Sequence, residues 1–553
     1  MISFDQLIAL FGLFSRRLFL FGQRVSFLKL VSDMRLLAGI LVTLAVSLPL
    51  EAGRPNVLFI AVDDLKPTIG CYGYTQAMTP NFDKLASAGT TFLNAHCQQA
   101  LCGPSRVSLL TGYYPDTLGI YGMGSERYKL RSKYPDILTL PQHFKNSGYV
   151  VIGTGKIFDP RNVEGDWKGP QDAISWTRFF GGKQFNSETG GPKYGGRYHD
   201  PTVGALSTRL YKEGKGNGLI GKALREYVRN NGGGPAVECY DVPDDAYGDG
   251  AIANWGIEQL EELKDSRQAF FLAVGFEKPH LPFVAPEKYW NLYDRDQLEL
   301  EPVQQYPQGA PAVAETDYVE ARTYSGIPAE GVIPESIQRE LLHGYLACVS
   351  YVDAQVGRLI DKLVSTGLAQ DTIVVFWGDH GFHLGDKAIW GKHTNYEQST
   401  RSPLIISNVG RRGQKTDGPV NLLDIFPTLC ELIGLDTPVG LDGKSLVPIL
   451  EGSAKSVRNY AASIYGHSGH WGIATRTERY RYVSWYKAVQ NKGWQGNRYL
   501  ETPEFVELYD YVEDPHEQVN LSGLAEYADI EISLADQNRE HVRYTQGRQF
   551  KIK

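Results

Sequence analysis

The stretch that decides the fold is Asn56-Val57-Leu58-Phe59-Ile60-Ala61-Val62-Asp63-Asp64, an unbroken apolar run that ends in two carboxylates. A strand that is buried on both faces gives such a run, whereas a half-exposed strand alternates apolar and polar residues. Three further runs have the same form, at residues 149–152, 269–274 and 372–377. Together they predict the central, mostly parallel sheet of an α/β protein.

Each of these runs is followed by charged or metal-ligating residues. In open α/β sheets, ligands bind in the crevice beyond the C-terminal ends of the strands. We therefore expect these side chains to converge, although singly each is as compatible with a turn or a helix cap. Two adjacent carboxylates and an Asp-His pair fit one metal site. The residues are Asp63, Asp64, Lys156, His280, Asp379 and His380.

Helices and long loops are predicted between the strands. Helical stretches lie at residues 81–88, 138–147, 251–264 and 340–363. Two long stretches, residues 181–235 and 301–335, are interpreted as an insertion and an ordered loop. Long loops in compact domains are often functional, so both are candidates for the walls of a binding cleft.

The run Cys102-Gly103-Pro104-Ser105-Arg106, followed by Leu110-Thr111-Gly112, carries a thiol, a proline, a hydroxyl and a guanidinium close together. Proline suits the first turn of a helix, where a backbone N–H would have no partner. The motif therefore predicts Cys102 at a helix N-terminus, where the positive end of the helix dipole favours an anion. The alternative, a buried structural cysteine, does not explain the surrounding motif.

Composition restricts the class of function. The chain has 553 residues, of which 42% are hydrophobic and 22% charged, as in ordinary globular enzymes. The formal net charge of -7 gives no support to nucleic-acid binding, which usually requires a basic face. A polyanionic ligand would need a local cationic pocket.

The N-terminus predicts export. Met34-Arg35 precedes an apolar run at residues 36–48 and then Ala52-Gly53, the order of a secretory signal with cleavage near Ala52. We predict a leader and signal over residues 1–53, with translation starting at Met34, and an uncleaved membrane anchor as the alternative. Export would permit disulfides among the six cysteines.

Several stretches together resemble the type I sulfatases, most closely the iduronate-2-sulfatase branch. The Cys102 motif has the family's C-x-P-S-R form with the trailing L-T-G. The other similar stretches are residues 56–67, 70–73, 278–283, 378–381, 421–428, 441–445 and 507–517. The resemblance implies an alkaline-phosphatase-like core over residues 54–440, with a large mixed, mostly parallel sheet flanked by helices. It further implies a smaller C-terminal α+β subdomain with an antiparallel sheet over residues 441–553.

The resemblance also implies a nucleophile and a metal. Cys102 would be oxidised by a formylglycine-generating enzyme to Cα-formylglycine, whose hydrate attacks the substrate. The hydrate fits the chemistry, because its second hydroxyl can expel sulfate, whereas an S-sulfo intermediate has no easy exit. A divalent cation would be Ca²⁺, with Mg²⁺ as the alternative, since hard oxygen donors suit both. The implied ligands are Asp63, Asp64, Asp379, His380 and the modified Cys102.

Four further residues match the family's catalytic positions. Arg106 would bind the diol oxygen and the metal-ligating carboxylates. Lys156 and Lys392 would bind the sulfate and neutralise charge on it. His280 would contact the ester and protonate the leaving oxygen.

One position departs from the family. A histidine usually follows the first sulfate-binding lysine and deprotonates the diol, but here Lys156-Ile157-Phe158 is followed by Asp159. An unperturbed aspartate, with a pKa of about 4, is a weaker base. We favour Asp159 in this role; the alternatives are another histidine, such as His383 or His393, and reduced turnover.

The predicted function is hydrolysis of a sulfate ester on a sugar of a sulfated polysaccharide such as a glycosaminoglycan. An exo-acting 2-O-sulfatase on a uronic acid is the nearest family analogy. One alternative is a phosphomonoesterase or phosphodiesterase of the same superfamily, although a cysteine nucleophile and one metal site argue against it. The other is a sulfated-glycan binding protein in which Cys102 stays unmodified.

Overall fold

A computed structural model describes residues 54–165, 169–180, 198–266, 268–316, 319–488 and 502–548. The predicted leader, signal and start codon at residues 1–53 lie outside the described residues, as does part of the predicted insertion at 181–235. None of the helices in the described residues is long and apolar enough to cross a membrane.

The strands of the described residues form one large sheet and several small ones. In chain order they are β1 (Asn56–Asp63), β2 (Gly89–Phe92), β3 (Ala95–His96), β4 (Val150–Gly155), β5 (Arg178–Phe180), β6 (Val237–Tyr240), β7 (Phe270–Pro279), β8 (Phe283–Pro286), β9 (Thr372–Gly378), β10 (His383–Leu384), β11 (Trp390–Gly391), β12 (Leu404–Ser407), β13 (Gln414–Thr416), β14 (Val420–Asn421), β15 (Ala461–His467), β16 (His470–Arg476), β17 (Tyr480–Lys487) and β18 (Phe505–Asp510).

The described residues also form the following α-helices. They are α1 (Pro80–Ser87), α2 (Cys102–Thr111), α3 (Pro115–Leu118), α4 (Leu130–Lys133), α5 (Leu140–Asn146), α6 (Pro201–Gly216), α7 (Gly221–Asn230), α8 (Gly248–Leu263), α9 (Glu287–Trp290), α10 (Glu335–Ser365), α11 (Glu397–Thr400), α12 (Ile425–Leu432), α13 (Val447–Leu450) and α14 (Ala528–Arg548).

The large sheet has eight strands in the order β13-β2-β12-β9-β1-β7-β4-β5. The four strands predicted from sequence are neighbours at its centre, β9-β1-β7-β4, and they pair in parallel. Strand β12 is antiparallel to both β9 and β2, which makes the sheet mixed but mostly parallel. The predicted fold class is confirmed, and the four central strands end at one edge of the sheet.

Strand β1 shows why its sequence is an unbroken apolar run. Successive side chains of a strand point to opposite faces. Leu58 and Ile60 pack into one core with residues of α8 and α10. Val57 and Phe59 pack into a second core, on the other face, with residues of α2, α5 and α12. Because helices cover both faces, neither set of side chains meets water.

The C-terminal part forms the expected small antiparallel sheet, in the order β15-β16-β17-β18. Helix α14 packs against it, and the Asn538 side chain donates a hydrogen bond to the Ile473 carbonyl at 2.8 Å. The division of the chain at residue 441 stays a prediction.

Candidate active site

The end of β1 places two carboxylates at the bottom of the site. Asp63 and Asp64 are buried, and Asp64 adopts a left-handed backbone with φ of 61°, which aspartate tolerates better than most residues. Two hydrogen bonds hold this turn. The Asp64 N–H donates to Asp379 Oδ1 at 3.1 Å, and the Tyr345 hydroxyl donates to the Asp64 carbonyl at 2.9 Å. The turn thus directs both carboxylates beyond the sheet.

Cys102 is the first residue of α2, as its motif predicts, and every residue of that helix is buried. Its Sγ lies 3.3 Å from His380 Nε2 and 3.9 Å from Asp64 Oδ1. The His380 Nδ1 lies 2.8 Å from the Gly381 carbonyl. The carbonyl can only accept, so Nδ1 donates this hydrogen bond and Nε2 faces Cys102 and Asp64.

Arg106, one turn along the same helix, is fully buried and joins three segments of the site. Its guanidinium donates to Asp379 Oδ2 at 2.9 Å and to Asp63 Oδ1 at 3.1 Å. It also donates to the carbonyls of Lys156 and Ile157. The guanidinium thereby fixes the ends of β1, β4 and β9 relative to α2.

The two predicted sulfate-binding lysines lie on different carboxylates. Lys156 Nζ is 2.5 Å from Asp63 Oδ2, and Lys392 Nζ is 2.7 Å from both oxygens of Asp64. Burial acts to raise the pKa of Asp63, but Lys156 and Arg106 hold that pKa well below its usual value. Burial raises the pKa of Asp64 against the opposing effect of Lys392. Lys156 and Arg106 therefore compensate the charge of Asp63, whereas Lys392 compensates the charge of Asp64 only in part.

The residues fit a divalent cation. Ligand atoms of Asp63, Asp64, Cys102 and His380 all lie within 4.8 Å of one another. Carboxylate oxygens next to one imidazole are suitable donors for Ca²⁺ or Mg²⁺. Asp379 is adjacent, but its Oδ1 and Oδ2 accept hydrogen bonds from the Asp64 N–H and from Arg106.

His280 lies on the outer side of this cluster. Its Nε2 is 3.9 Å from Asp64 Oδ2 and 3.6 Å from Glu320 Oε1, while its Nδ1 is 2.7 Å from the Leu281 carbonyl. Its side chain is 21% exposed, whereas that of Asp64 is 0% exposed. His280 is thus placed between the buried cluster and solvent.

The three candidates for the second proton transfer lie in different surroundings. Asp159 is buried and accepts a forked ion pair from Arg161, at 2.8 and 2.5 Å. Although burial acts to raise the pKa of Asp159, Arg161 and Lys156 lower it. His383 faces Thr394 at 3.0 Å and Asp386 at 3.5 Å.

His393, the third candidate, adjoins Lys392. Burial, together with the nearby charges of Lys392, His380 and Arg161, lowers its pKa to about 3. The charge of His380 contributes to this lowered pKa, whereas it is not among the main causes of the lowered pKa of His383.

Sequence reasoning missed two residues of the site. Glu320 lies 3.2 Å from Lys392 Nζ, and Arg161 holds Asp159. Neither stands in a recognisable motif. The only sequence signal was the prediction that the loop at residues 301–335, which contains Glu320, forms part of a cleft.

Comparison with known proteins accounts for this constellation. Residues 55–435 match the family described as Sulfatase, and residues 385–543 match the C-terminal region of N-sulphoglucosamine sulphohydrolase. The chain belongs to the sulfatase family. It is a sulfuric ester hydrolase, and the resemblance inferred from its motifs is confirmed.

Two relatives of this sulfatase show how far the similarity extends. A sulfatase of Formosa agariphila is 33% identical over 478 residues, covering 85% of this chain and 83% of that protein. Iduronate 2-sulfatase of Mus musculus is 34% identical over 418 residues, covering 69% of each chain.

A solved structure shares the fold of this sulfatase. It is BT4656 in complex with its substrate D-glucosamine-2-N,6-O-disulfate, with a TM-score of 0.64 and 21% identity, covering 89% of this chain and 98% of that one. At this identity the likeness supports the fold alone.

Proposed function

We propose that this sulfatase removes sulfate from a sulfated sugar, with Cys102 converted to Cα-formylglycine by a formylglycine-generating enzyme. The observation that carries the proposal is the position of Cys102 Sγ, 3.3 Å from His380 Nε2 and 3.9 Å from Asp64 Oδ1. A nucleophile at that place would lie within the candidate metal cluster and beside both lysines. The aldehyde hydrate would supply one hydroxyl for attack on sulfur and a second for the release of sulfate.

We propose Ca²⁺ as the metal, with Mg²⁺ as the alternative. Asp63, Asp64, Asp379, His380 and residue 102 would hold it, and its charge would polarise the sulfate. The pKa of Asp64, which burial raises against the opposing effect of Lys392, is consistent with a carboxylate that a bound cation would stabilise further.

The lysines and His280 would handle the substrate. Lys156 and Lys392 would exchange part of their contact with Asp63 and Asp64 for the sulfate oxygens and stabilise charge in the transition state. His280 would contact the ester oxygen. Burial and Lys392 hold its pKa well below the usual value, so it would take up a proton only with the anionic sulfate bound, and would pass it to that oxygen as the S–O bond breaks and the sugar leaves as an alcohol.

Asp159 is our proposed proton acceptor in the second step. Its Oδ2 lies 4.0 Å from Nζ of Lys156, one of the two lysines proposed to bind the sulfate. The lowered pKa caused by Arg161 and Lys156, despite burial, makes it a weaker base than a histidine. The proposal therefore includes a slow release of sulfate from the enzyme.

Substrate class and location complete the proposal. The iduronate 2-sulfatase relative favours a 2-O-sulfated uronic acid of a glycosaminoglycan-like polymer as the first substrate to test. The signal-like order of residues 34–53 favours an exported enzyme.

Mass spectrometry of the peptide that carries residue 102 tests the nucleophile. Protein produced together with a formylglycine-generating enzyme should carry the aldehyde and release sulfate from 2-O-sulfated uronosides. Cys102→Ala should lower kcat/KM by about 10³-fold or more. EDTA should abolish the activity and Ca²⁺ should restore it.

Two results would contradict the proposal. One is an active, natively produced protein whose residue 102 is still a thiol. The other is a set of phosphate monoesters and diesters that are hydrolysed faster than the matching sulfates.

A further inference from the structure

Glu320 brings a carboxylate into a pocket proposed to bind an anion, and the proposed reaction gives it no role. It belongs to a short 3₁₀ turn, Glu320–Thr323, within the long loop at residues 301–335. The turn lies against β11, just before Lys392. A Cβ added to Gly391 would lie 3.1 Å from the Glu320 nitrogen. A glycine at residue 391 therefore allows the turn to approach this closely.

The Glu320 carboxylate is only partly used by the protein. Its Oε2 is buried and accepts no hydrogen bond within the described part of the chain, although Lys392 Nζ lies 3.2 Å away as an ion pair. Lys392 already has two shorter contacts with Asp64, both of 2.7 Å. Lys392 therefore does not need Glu320 to stay in place, and the second carboxylate oxygen, Oε1, faces His280 Nε2 at 3.6 Å.

Exposure increases in order from the bottom of the site outward. Cys102 is 1% exposed, the Lys392 and Glu320 side chains are 4% and 11% exposed, and the His280 side chain is 21% exposed. Transfer to residue 102 requires the sulfate to lie deepest, with the ester oxygen next to His280. The ring carbon that carries the sulfate must then lie just beyond that oxygen, next to His280, whose Nε2 is 3.6 Å from the Glu320 carboxylate.

The distance between Glu320 and His280 is compatible with a contact to the hydroxyl on the ring carbon next to the sulfate ester. Glu320 Oε1 lies 3.6 Å from His280 Nε2. Vicinal oxygens of a sugar ring are separated by about the length of a hydrogen bond. An ester oxygen that contacts His280 would therefore bring the hydroxyl of the adjacent carbon within reach of Oε1. A carboxylate accepts hydrogen bonds only, so it selects a donor there and repels a second anion.

From this geometry we infer that Glu320 is a specificity-determining residue that accepts a hydrogen bond from the hydroxyl next to the scissile sulfate ester. The substrate class is then a sugar sulfate with a free vicinal hydroxyl, rather than a vicinal disulfate. This inference rests on the proposed sulfatase function, since it needs the sulfate to lie against Cys102 and Lys392.

Paired substrates test the inference. The probes are methyl pyranoside 2-O-sulfates of the gluco, galacto and L-iduronic series, each with its 3-deoxy analogue. Removal of the hydroxyl should lower the kcat/KM of the wild type by about 10- to 100-fold, the usual range for a hydrogen bond to a charged group. Glu320→Gln removes the charge but keeps an acceptor oxygen, so it should cause a smaller loss on the parent sugar, of about 3- to 10-fold. It should stay within about 2-fold of the wild type on the deoxy analogue, because the interaction is already absent.

Controls separate this role from a structural one. Glu315→Gln changes an exposed residue of the same loop and should leave both substrates unaffected. Glu320→Asp keeps the charge but shortens the side chain, and should recover less than half of the loss. Wild-type thermal unfolding of Glu320→Gln would exclude a folding defect.

Two outcomes distinguish failure of this inference from failure of the proposed function. Equal losses of Glu320→Gln on parent and deoxy sugars would overturn the inference and show that Glu320 acts only through Lys392 and His280. Absence of sulfate release by the wild type from every probe would overturn the proposed sugar sulfatase function, and the inference with it.

Discussion

The bottom and the rim of the active site are built in different ways. The bottom consists of residues at strand ends and at the start of α2, and Arg106 joins its carboxylates through bonds to Asp63 and Asp379. The rim consists of His280, directly after β7, and of Glu320 from the long loop at residues 301–335, with longer contacts and partial exposure. We therefore propose that the residues at the bottom carry out the reaction, whereas those at the rim determine which sugar is bound.

The variant with the largest expected loss of stability tests whether the residues at the bottom of the site hold one another in place. Arg106→Met keeps most of the volume but leaves two buried carboxylates without their cation. We expect the free energy of unfolding, measured by urea titration, to fall by about 3–5 kcal/mol.

Glu320→Gln is the matched change at the rim. It should lower the free energy of unfolding by less than about 1 kcal/mol, because Lys392 keeps its two shorter contacts with Asp64 and no buried charge loses its only partner. Equal losses in Arg106→Met and Glu320→Gln would remove the distinction between bottom and rim.

The next prediction concerns kcat and Asp159, the proposed proton acceptor. Asp159→Asn should lower kcat by about 10²-fold or more, because a general base contributes 10²–10⁴-fold. Sulfated enzyme should accumulate and be visible by intact mass spectrometry. Asp159→His restores the residue type of the family and should speed the second step.

Two histidine variants serve as comparisons for Asp159. His383→Gln should not trap sulfated enzyme, because His383 faces Thr394 and Asp386. Accumulation of sulfated enzyme in His393→Gln, with normal turnover in Asp159→Asn, would transfer the role to His393.

The last prediction concerns helix α14, which lies outside both regions. His541 of α14 packs edge-on against Tyr114, with ring centroids 4.8 Å apart, and burial together with Arg458 lowers its pKa to about 3. The unfolded histidine, with a pKa of about 6.5, takes up its proton first. Its contribution to stability is therefore complete above pH 6.5 or so and is lost as the pH falls toward 3.

Between pH 7 and pH 5.5 this linkage should lower the free energy of unfolding by about 1 kcal/mol. His541→Phe cannot ionise, so its unfolding free energy should fall less over the same interval. Identical pH dependence in urea titrations of wild type and variant would contradict a neutral, buried His541.

The sequence predicted the fold well because its evidence was local. Strands β1, β4, β7 and β9 are covered on both faces, and that burial gives each an unbroken apolar run. The Cys102 motif placed a helix start correctly, since proline in the first turn and the glycine at its end are signals within a few residues of each other.

Other features depended on contacts between distant segments. The ion pair of Arg106 with Asp379, for example, joins residues 273 positions apart. Glu320 is 72 positions from Lys392 in the chain and meets its ammonium group only because the loop packs against Gly391.

The sequence by itself determined the α/β class, the sulfatase family and the residues that gather around Cys102. The α/β class follows from apolar periodicity, and the family and its site residues follow from the resemblance of the Cys102 motif and the other stretches to known sulfatases. Only the tertiary structure decided which charges face each other and how deep each one lies. The physical reason is that burial and ion pairing depend on the approach of segments far apart in the chain, and a side chain's own neighbours in sequence do not encode it.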